Sequence, residues 1–200
     1  MSSLAPSRLL LHVCCGPCAI APVEWLQVQG VEVVGLYFNP NIHPLQEYLR
    51  RRQGLVEVAE RMGFEALFLD EEYAPRDFFH AIHGRESERC PDCYSLRLDR
   101  VAALAAQGGF PAFTSTLLYS KYQKHEAIVA AGRPAAAAQG IDFFYHDFRE
   151  GWRRGIDLSK EWGIYRQQYC GCLYSEFERY RREWEAVCAS ARSKPGTTTA

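Results

Sequence analysis

The chain carries no strong charge of either sign. Its 23 Lys and Arg stand against 24 Asp and Glu, a formal net charge of −1. That balance removes the simplest argument for nucleic-acid binding, a basic chain, and leaves only a local basic face. Long apolar runs are also missing. The run Leu9–Val13 falls far short of the roughly 20 residues that a membrane helix needs. Met1–Pro6 lacks the charged stretch and apolar run of a secretory leader, so a reducing, cytoplasmic setting without membrane partners is expected. There is no internal repeat. The loop after the first apolar run holds only Gly16, and Pro17 has no amide N–H to offer. A Gly-rich phosphate cradle is therefore not expected there, nor the Ser-Gly-Gly-x-Asp loop of ATP-using enzymes.

Cysteine is what the chain has in quantity: eight in 200 residues. In a reducing compartment clustered thiols point to metal or redox chemistry rather than to structural disulfides. Cys14, Cys15 and Cys18 follow the first apolar run, where soft thiolates suit a soft metal better than phosphate. Cys90-Pro91-Asp92-Cys93 has the two-residue spacing that lets two thiolates grip one centre, in zinc and in iron–sulfur sites alike. Cys170-Gly171-Cys172 is a different case. One intervening residue makes joint chelation awkward, and a bond between the two would be strained and labile, so the pair reads as an electron relay or as extra ligands. Cys188 stands alone on a late helix and reads as packing.

The periodicity alternates strands with helices. Strands are expected over Arg8–Val13, Val31–Phe38, Phe64–Leu69, Phe110–Thr116 and Ile141–Tyr145. Helices are expected from Ala19 to Gln29, from Pro44 to about Met62, over Pro75–Glu88 and Cys93–Gln107, and over Lys124–Gln139 with an interruption at Pro134. Asp147–Trp162 and Leu173–Ala191 extend the chain as further helices, and Ser193–Ala200 reads as a disordered tail. The reading is one α/β domain over 1–192 with a parallel sheet and a C-terminal helical extension. Ligands of such sheets bind beyond the carboxyl ends of the strands, where Cys14, Cys15, Asn39 and Ser115–Tyr119 would gather. His12 beside Cys14 reads equally as a buried structural histidine or as support for a ligand. Asp147, Asp157, His12 and Tyr165 are candidate proton donors, among which the sequence does not choose. Tyr119–Lys124 and the arginines 149, 153, 154 and 166 mix cations with aromatics, which suits an RNA loop with splayed bases or a plain solvated face.

Four segments together carry a resemblance. Leu10–Cys18 (LLHVCCGPC), Tyr37–Tyr48 (YFNPNIHPLQEY), Cys90–Leu98 (CPDCYSLRL) and Asp157–Ser175 (DLSKEWGIYRQQYCGCLYS) resemble the QueH-type epoxyqueuosine reductases, in order and over roughly Arg8 to Cys188. The resemblance implies a Rossmann-like sheet akin to the adenine-nucleotide α-hydrolase (HUP) group and a [4Fe–4S] cluster, in one branch with a second, mononuclear iron. It implies reduction of the epoxide of epoxyqueuosine, at the wobble position of tRNA, to the alkene of queuosine without cobalamin. An external electron donor is required. On this chain the implied cluster ligands are Cys14, Cys15, Cys90 and Cys93, and Cys170 and Cys172 match the family's CGC. Cys18 stands where some members carry an aspartate ligand to the second iron. A zinc-stapled tRNA-binding module and an ATP-dependent tRNA-modifying enzyme of the same fold group are the competing expectations.

Overall fold

The computed structural model describes residues 6–192. The expectations about the leader residues 1–5 and about the tail over 193–200 fall outside that range. Five strands form one sheet, all parallel: β1 (Arg8–His12), β2 (Glu32–Tyr37), β3 (Glu65–Phe68), β4 (Ala112–Ser115) and β5 (Asp142–Phe143), in the order β3-β2-β1-β4-β5. This is the expected Rossmann-like α/β fold, whose order reverses beside the first strand and opens a crevice there. Leu9, Leu10 and Leu11 are buried on both faces of the central β1, which is why that strand reads as an unbroken apolar run rather than an alternating one.

Among the described residues seven α-helices flank or extend the sheet: α1 (Gly16–Val28), α2 (Leu45–Met62), α3 (Pro75–Ala81), α4 (Cys90–Gln107), α5 (His125–Gln139), α6 (Trp152–Glu161) and α7 (Leu173–Arg192). Several element bounds differ from the sequence expectation; α4 begins at Cys90 rather than Cys93 and α6 at Trp152 rather than Asp147. Helix α1 begins at Gly16 rather than Ala19, because Pro17 sits in the first turn, where a missing N–H costs no hydrogen bond. Helix α5 runs through Pro134, which lies on its exposed side. The segment 75–88 is α-helical only to Ala81; Gly84 takes a positive φ just beyond it, and Glu86–Glu88 form a separate 3-10 turn. Among the described residues no helix is long and apolar enough to cross a membrane.

The early start of α1 depends on a close helix contact. A Cβ on Gly16 would lie 2.1 Å from the carbonyl oxygen of Gly54 on α2. The obstacle is backbone, so the helices must part. Gly16→Ala is expected to cost about 3 kcal/mol, the upper range of overpacking, read as a lowered urea midpoint at unchanged slope.

Candidate metal and redox site

In a parallel α/β unit each crossover helix begins at the carboxyl end of the strand before it. The N-termini of α1 and α4 therefore face the same edge of the sheet, and their free amides favour negative charge there. Helix α1 carries Cys18 in its first turn, directly after Cys14 and Cys15; α4 opens on Cys90 and carries Cys93. The loop between α6 and α7 brings Cys170 and Cys172 to the same region.

Two thiol groups result. The sulfurs of Cys14, Cys15 and Cys18 all lie within 4.8 Å of one another, and all three residues are buried. Cys14 and Cys15 are 3.9 Å apart, close to the edge of about 3.8 Å that a tetrahedral ion makes with thiolates at about 2.3 Å. These three residues can hold a metal ion. The second group, Cys90, Cys93, Cys170 and Cys172, lines a small cavity of about 20 Å³ together with Arg89 and Arg97. Cys170 and Gln123 line this cavity and also a larger one of about 670 Å³ whose wall includes Cys14 and Cys18. The two groups are therefore neighbours, although Cys90 and Cys93 do not share the tight sulfur triangle. Cys188 is half-buried on α7 and lines neither cavity.

Electrostatics fits this donor set to a metal. The Cys14 thiol is held well below its ordinary range by hydrogen bonds from the Cys15 and Cys18 thiols, with help from the Thr116 hydroxyl. Burial and the Cys14 sulfur push Cys15 up; the Cys14 and Cys15 sulfurs, then burial, push Cys18 up. Of the three thiols, Cys14 is the one its surroundings favour as thiolate. Arg97 is 3% exposed and its guanidinium makes no ion pair with a carboxylate among the described residues; its Nε donates to the Cys93 carbonyl. A buried cation needs a counter-charge, and the charges it senses are those of Cys93, Tyr94, Cys14 and Cys170. Ionised, metal-bound thiolates would supply it.

The Cys170–Cys172 pair is built differently. Cys170 is exposed at the large cavity and Cys172 is buried. A hydrogen bond from Cys170, aided by Ser175 and Arg89, holds Cys172 down to about 5. Arg89 Nε lies 3.4 Å from the Cys172 sulfur, while its Nη2 is paired with Glu178 at 2.7 Å. Gly171 adopts φ 138, and a Cβ there would meet Ile42 at 2.9 Å. The segment is clamped from both sides. The amide of His43 donates to Gly171 O (2.8 Å), and Tyr169 donates its hydroxyl to His43 O (2.7 Å). Buried Arg51 donates to the carbonyls of Tyr169 (3.0 Å) and Cys170 (2.9 Å).

The proton-donor candidates sit elsewhere. His12 is fully buried; its Nδ1 accepts from the Ser115 hydroxyl (2.8 Å) and its Nε2–H donates to the Phe38 carbonyl (3.1 Å), an assignment that follows from the carbonyl being only an acceptor. Burial, then Arg97, lowers His12 to about 4, so it is a neutral tie between β1, β4 and the end of β2. Asp147 accepts from the Arg149 guanidinium (2.7 Å to Nε), which holds its carboxyl down to about 2. Tyr165 donates its hydroxyl to Glu47 (2.5 Å), and Asp157 is paired with Arg153 (2.8 Å). Asp147, Asp157 and Tyr165 do not line either thiol cavity.

The large cavity has an aromatic and cationic rim. Tyr119, Tyr122 and Trp152 line it, with Arg51, Arg166 and Arg179. The Tyr122 ring is 85% exposed and meets Trp152 edge-on at 5.6 Å. Motif reading had missed Arg97, Arg89, Arg51 and Gln167. Arg97 left a signal, since it follows Cys93 by four residues and so shares its helix face. Gln167 left none, because its sulfur partners lie about 150 residues away in sequence.

A parallel α/β sheet that gathers seven cysteines in two neighbouring groups at its carboxyl edge defines a thiol-lined, metal-capable ligand site. The family model described as epoxyqueuosine reductase QueH matches residues 9–178. The chain is 37% identical over 177 residues to the epoxyqueuosine reductase QueH of Dehalococcoides mccartyi, covering 88% of this chain and 96% of that protein. It is 37% identical to the protein of that name from Histophilus somni, over 84% of this chain and 72% of the relative. For the Haemophilus influenzae protein of that name the identity is 36%, over 88% of this chain and 76% of the relative. The chain belongs to the epoxyqueuosine reductase QueH family.

Proposed function

We propose that this protein is a cytoplasmic, cobalamin-independent epoxyqueuosine reductase that acts on tRNA. The observation that carries the reading is the pairing of family membership with one cavity lined by thiols from both groups, Cys14 and Cys18 on one side and Cys170 on another. In this proposal Cys14, Cys15, Cys90 and Cys93 hold a [4Fe–4S] cluster, and Cys18 completes the sulfur triangle that takes a second iron. Such a centre would pass electrons singly, and an iron with an open position would polarise the epoxide oxygen.

The chain's own residues supply the rest. The rim binds the unpaired wobble nucleoside. Tyr122 and Trp152 offer ring faces for a base turned out of the anticodon loop, where unstacking costs least. Arg166 and Arg179 face the phosphates, which makes binding weaken with salt. The chemistry removes one oxygen: the two C–O bonds of the epoxide break, a C=C bond forms, and two electrons and two protons convert the oxygen to water. Cys170 and Cys172 as a thiol–thiolate pair supply both electrons and one of the protons by closing to a disulfide that an external donor reopens, and solvent water supplies the second proton. The low pKa of Cys172 and the exposure of Cys170 support this relay role. Asp147 and Tyr165 are already bonded to Arg149 and Glu47, so one proton is assigned to the Cys170 thiol and the other to solvent.

The test is direct. Anaerobically purified protein is given epoxyqueuosine tRNA with dithionite, and the digested nucleosides are resolved by mass spectrometry. Queuosine is the expected product. An intact metal centre that leaves epoxyqueuosine unchanged would point to another substrate.

A further inference from the structure

Gln167 stands out among the groups that this reading leaves unused. It lies on the loop before the Cys170–Cys172 pair and lines the large cavity. Its Nε2 is 2.9 Å from the Cys15 sulfur and 3.3 Å from the Cys18 sulfur. Its Oε1 is buried without a hydrogen-bond partner. An amide that leaves its oxygen unpaired while both sulfurs face its nitrogen is placed for what the nitrogen donates. The orientation follows from chemistry as well. A metal-bound thiolate carries no proton and only accepts, so it selects the NH2 end of the amide. Gln167 also bridges two separate pieces of the site, since its loop is the one that Arg51 and His43 clamp.

We propose that Gln167 is a positioning residue for the sulfur triangle: its amide donates N–H···S bonds to Cys15 and Cys18 and holds them as thiolate ligands. The inference rests on the reading that these thiols bind a metal. Hydrogen bonds of this kind fix ligand orientation, and their loss weakens metal binding by about 10- to 100-fold. They also draw charge from the sulfur, which raises the reduction potential of a bound iron centre.

The experiment titrates Co²⁺ alone into the full-length, metal-free protein without oxygen, against a competing chelator, reading the sulfur-to-cobalt charge-transfer bands. Wild type is expected to show these bands. Gln167→Leu is expected to bind Co²⁺ about tenfold or more weakly. Gln167→Glu keeps the shape but replaces the donor with a repelling carboxylate, and is expected to bind more weakly still. In the iron-loaded protein, Gln167→Leu is expected to lower the reduction potential. Equal affinity in wild type and Gln167→Glu would overturn the donor role and leave a packing role. Absence of charge-transfer bands in wild type would overturn the metal reading itself. Should Gln167→Leu fail to fold, which circular dichroism reports, the isosteric Gln167→Glu decides.

Discussion

Arg51→Met is expected to be strongly destabilising. The side chain is 1% exposed and paired with Glu47 at 2.7 Å, itself almost wholly buried. Removing the guanidinium leaves an anion without its cation, a loss of about 3–5 kcal/mol. It also strips the donors from the carbonyls of Tyr169 and Cys170. Those two bonds tie the loop that carries Cys170–Cys172 to α2, so the redox pair should come loose together with the fold. Chemical denaturation checks the first effect, and hydrogen exchange of the amides from Tyr169 to Cys172 checks the second. Because replacing both members of a buried pair costs far less than replacing one, Arg51→Met with Glu47→Leu should recover much of the stability. A double variant as unstable as Arg51→Met would mean that the loop contacts, rather than the ion pair, dominate.

The second large effect separates ligand thiols from relay thiols. Cys14→Ser and Cys90→Ser are each expected to lose bound iron and to lower turnover by at least about a hundredfold, more than loss of a supporting group costs. Cys172→Ser is expected to keep its iron while losing multiple turnovers. Cys188→Ser, on α7 and away from both cavities, should match wild type in iron and in rate. Iron measured beside product for each variant reads the division. Loss of iron in Cys172→Ser would move that residue from the relay to the ligand set.

Much of this was legible before the structure. The five strands, their parallel arrangement and the placing of Cys14 and Cys15 at the carboxyl edge follow from apolar runs, β-branched residues and the alternation of elements, whereas the joining of Cys90 and Cys93 to them was implied by the family resemblance. Cys18 stood outside the four cluster ligands that the resemblance implies. Its neighbours became clear only with the early start of α1 at Gly16, which places it one turn from Cys15. The grouping of Cys170 and Cys172 with Cys90 and Cys93 around one small cavity could not be read, since it depends on how a late loop returns to α4. The proton-donor candidates failed to reach the cavities for a physical reason. Asp147 caps a short turn and is taken up by its neighbour Arg149, and Tyr165 is taken up by Glu47 from α2. Long-range polar partners of that kind leave no periodicity in a sequence. Arg97 is the exception, four residues after Cys93 on one helix face, and its buried charge is the strongest sign that the surrounding sulfurs are meant to be ionised.

The central claim is that the thiols at the sheet edge hold an iron–sulfur centre whose electrons reduce epoxyqueuosine. One single-turnover measurement tests it. Protein purified without oxygen is assayed for iron and sulfide, reduced, freed of excess reductant and mixed with epoxyqueuosine tRNA while its visible absorption is followed. The account predicts iron with matching sulfide, and a spectrum that returns to the oxidised form as queuosine appears. Zinc without sulfide, or a reduced centre whose spectrum does not change when the tRNA is added, would contradict it.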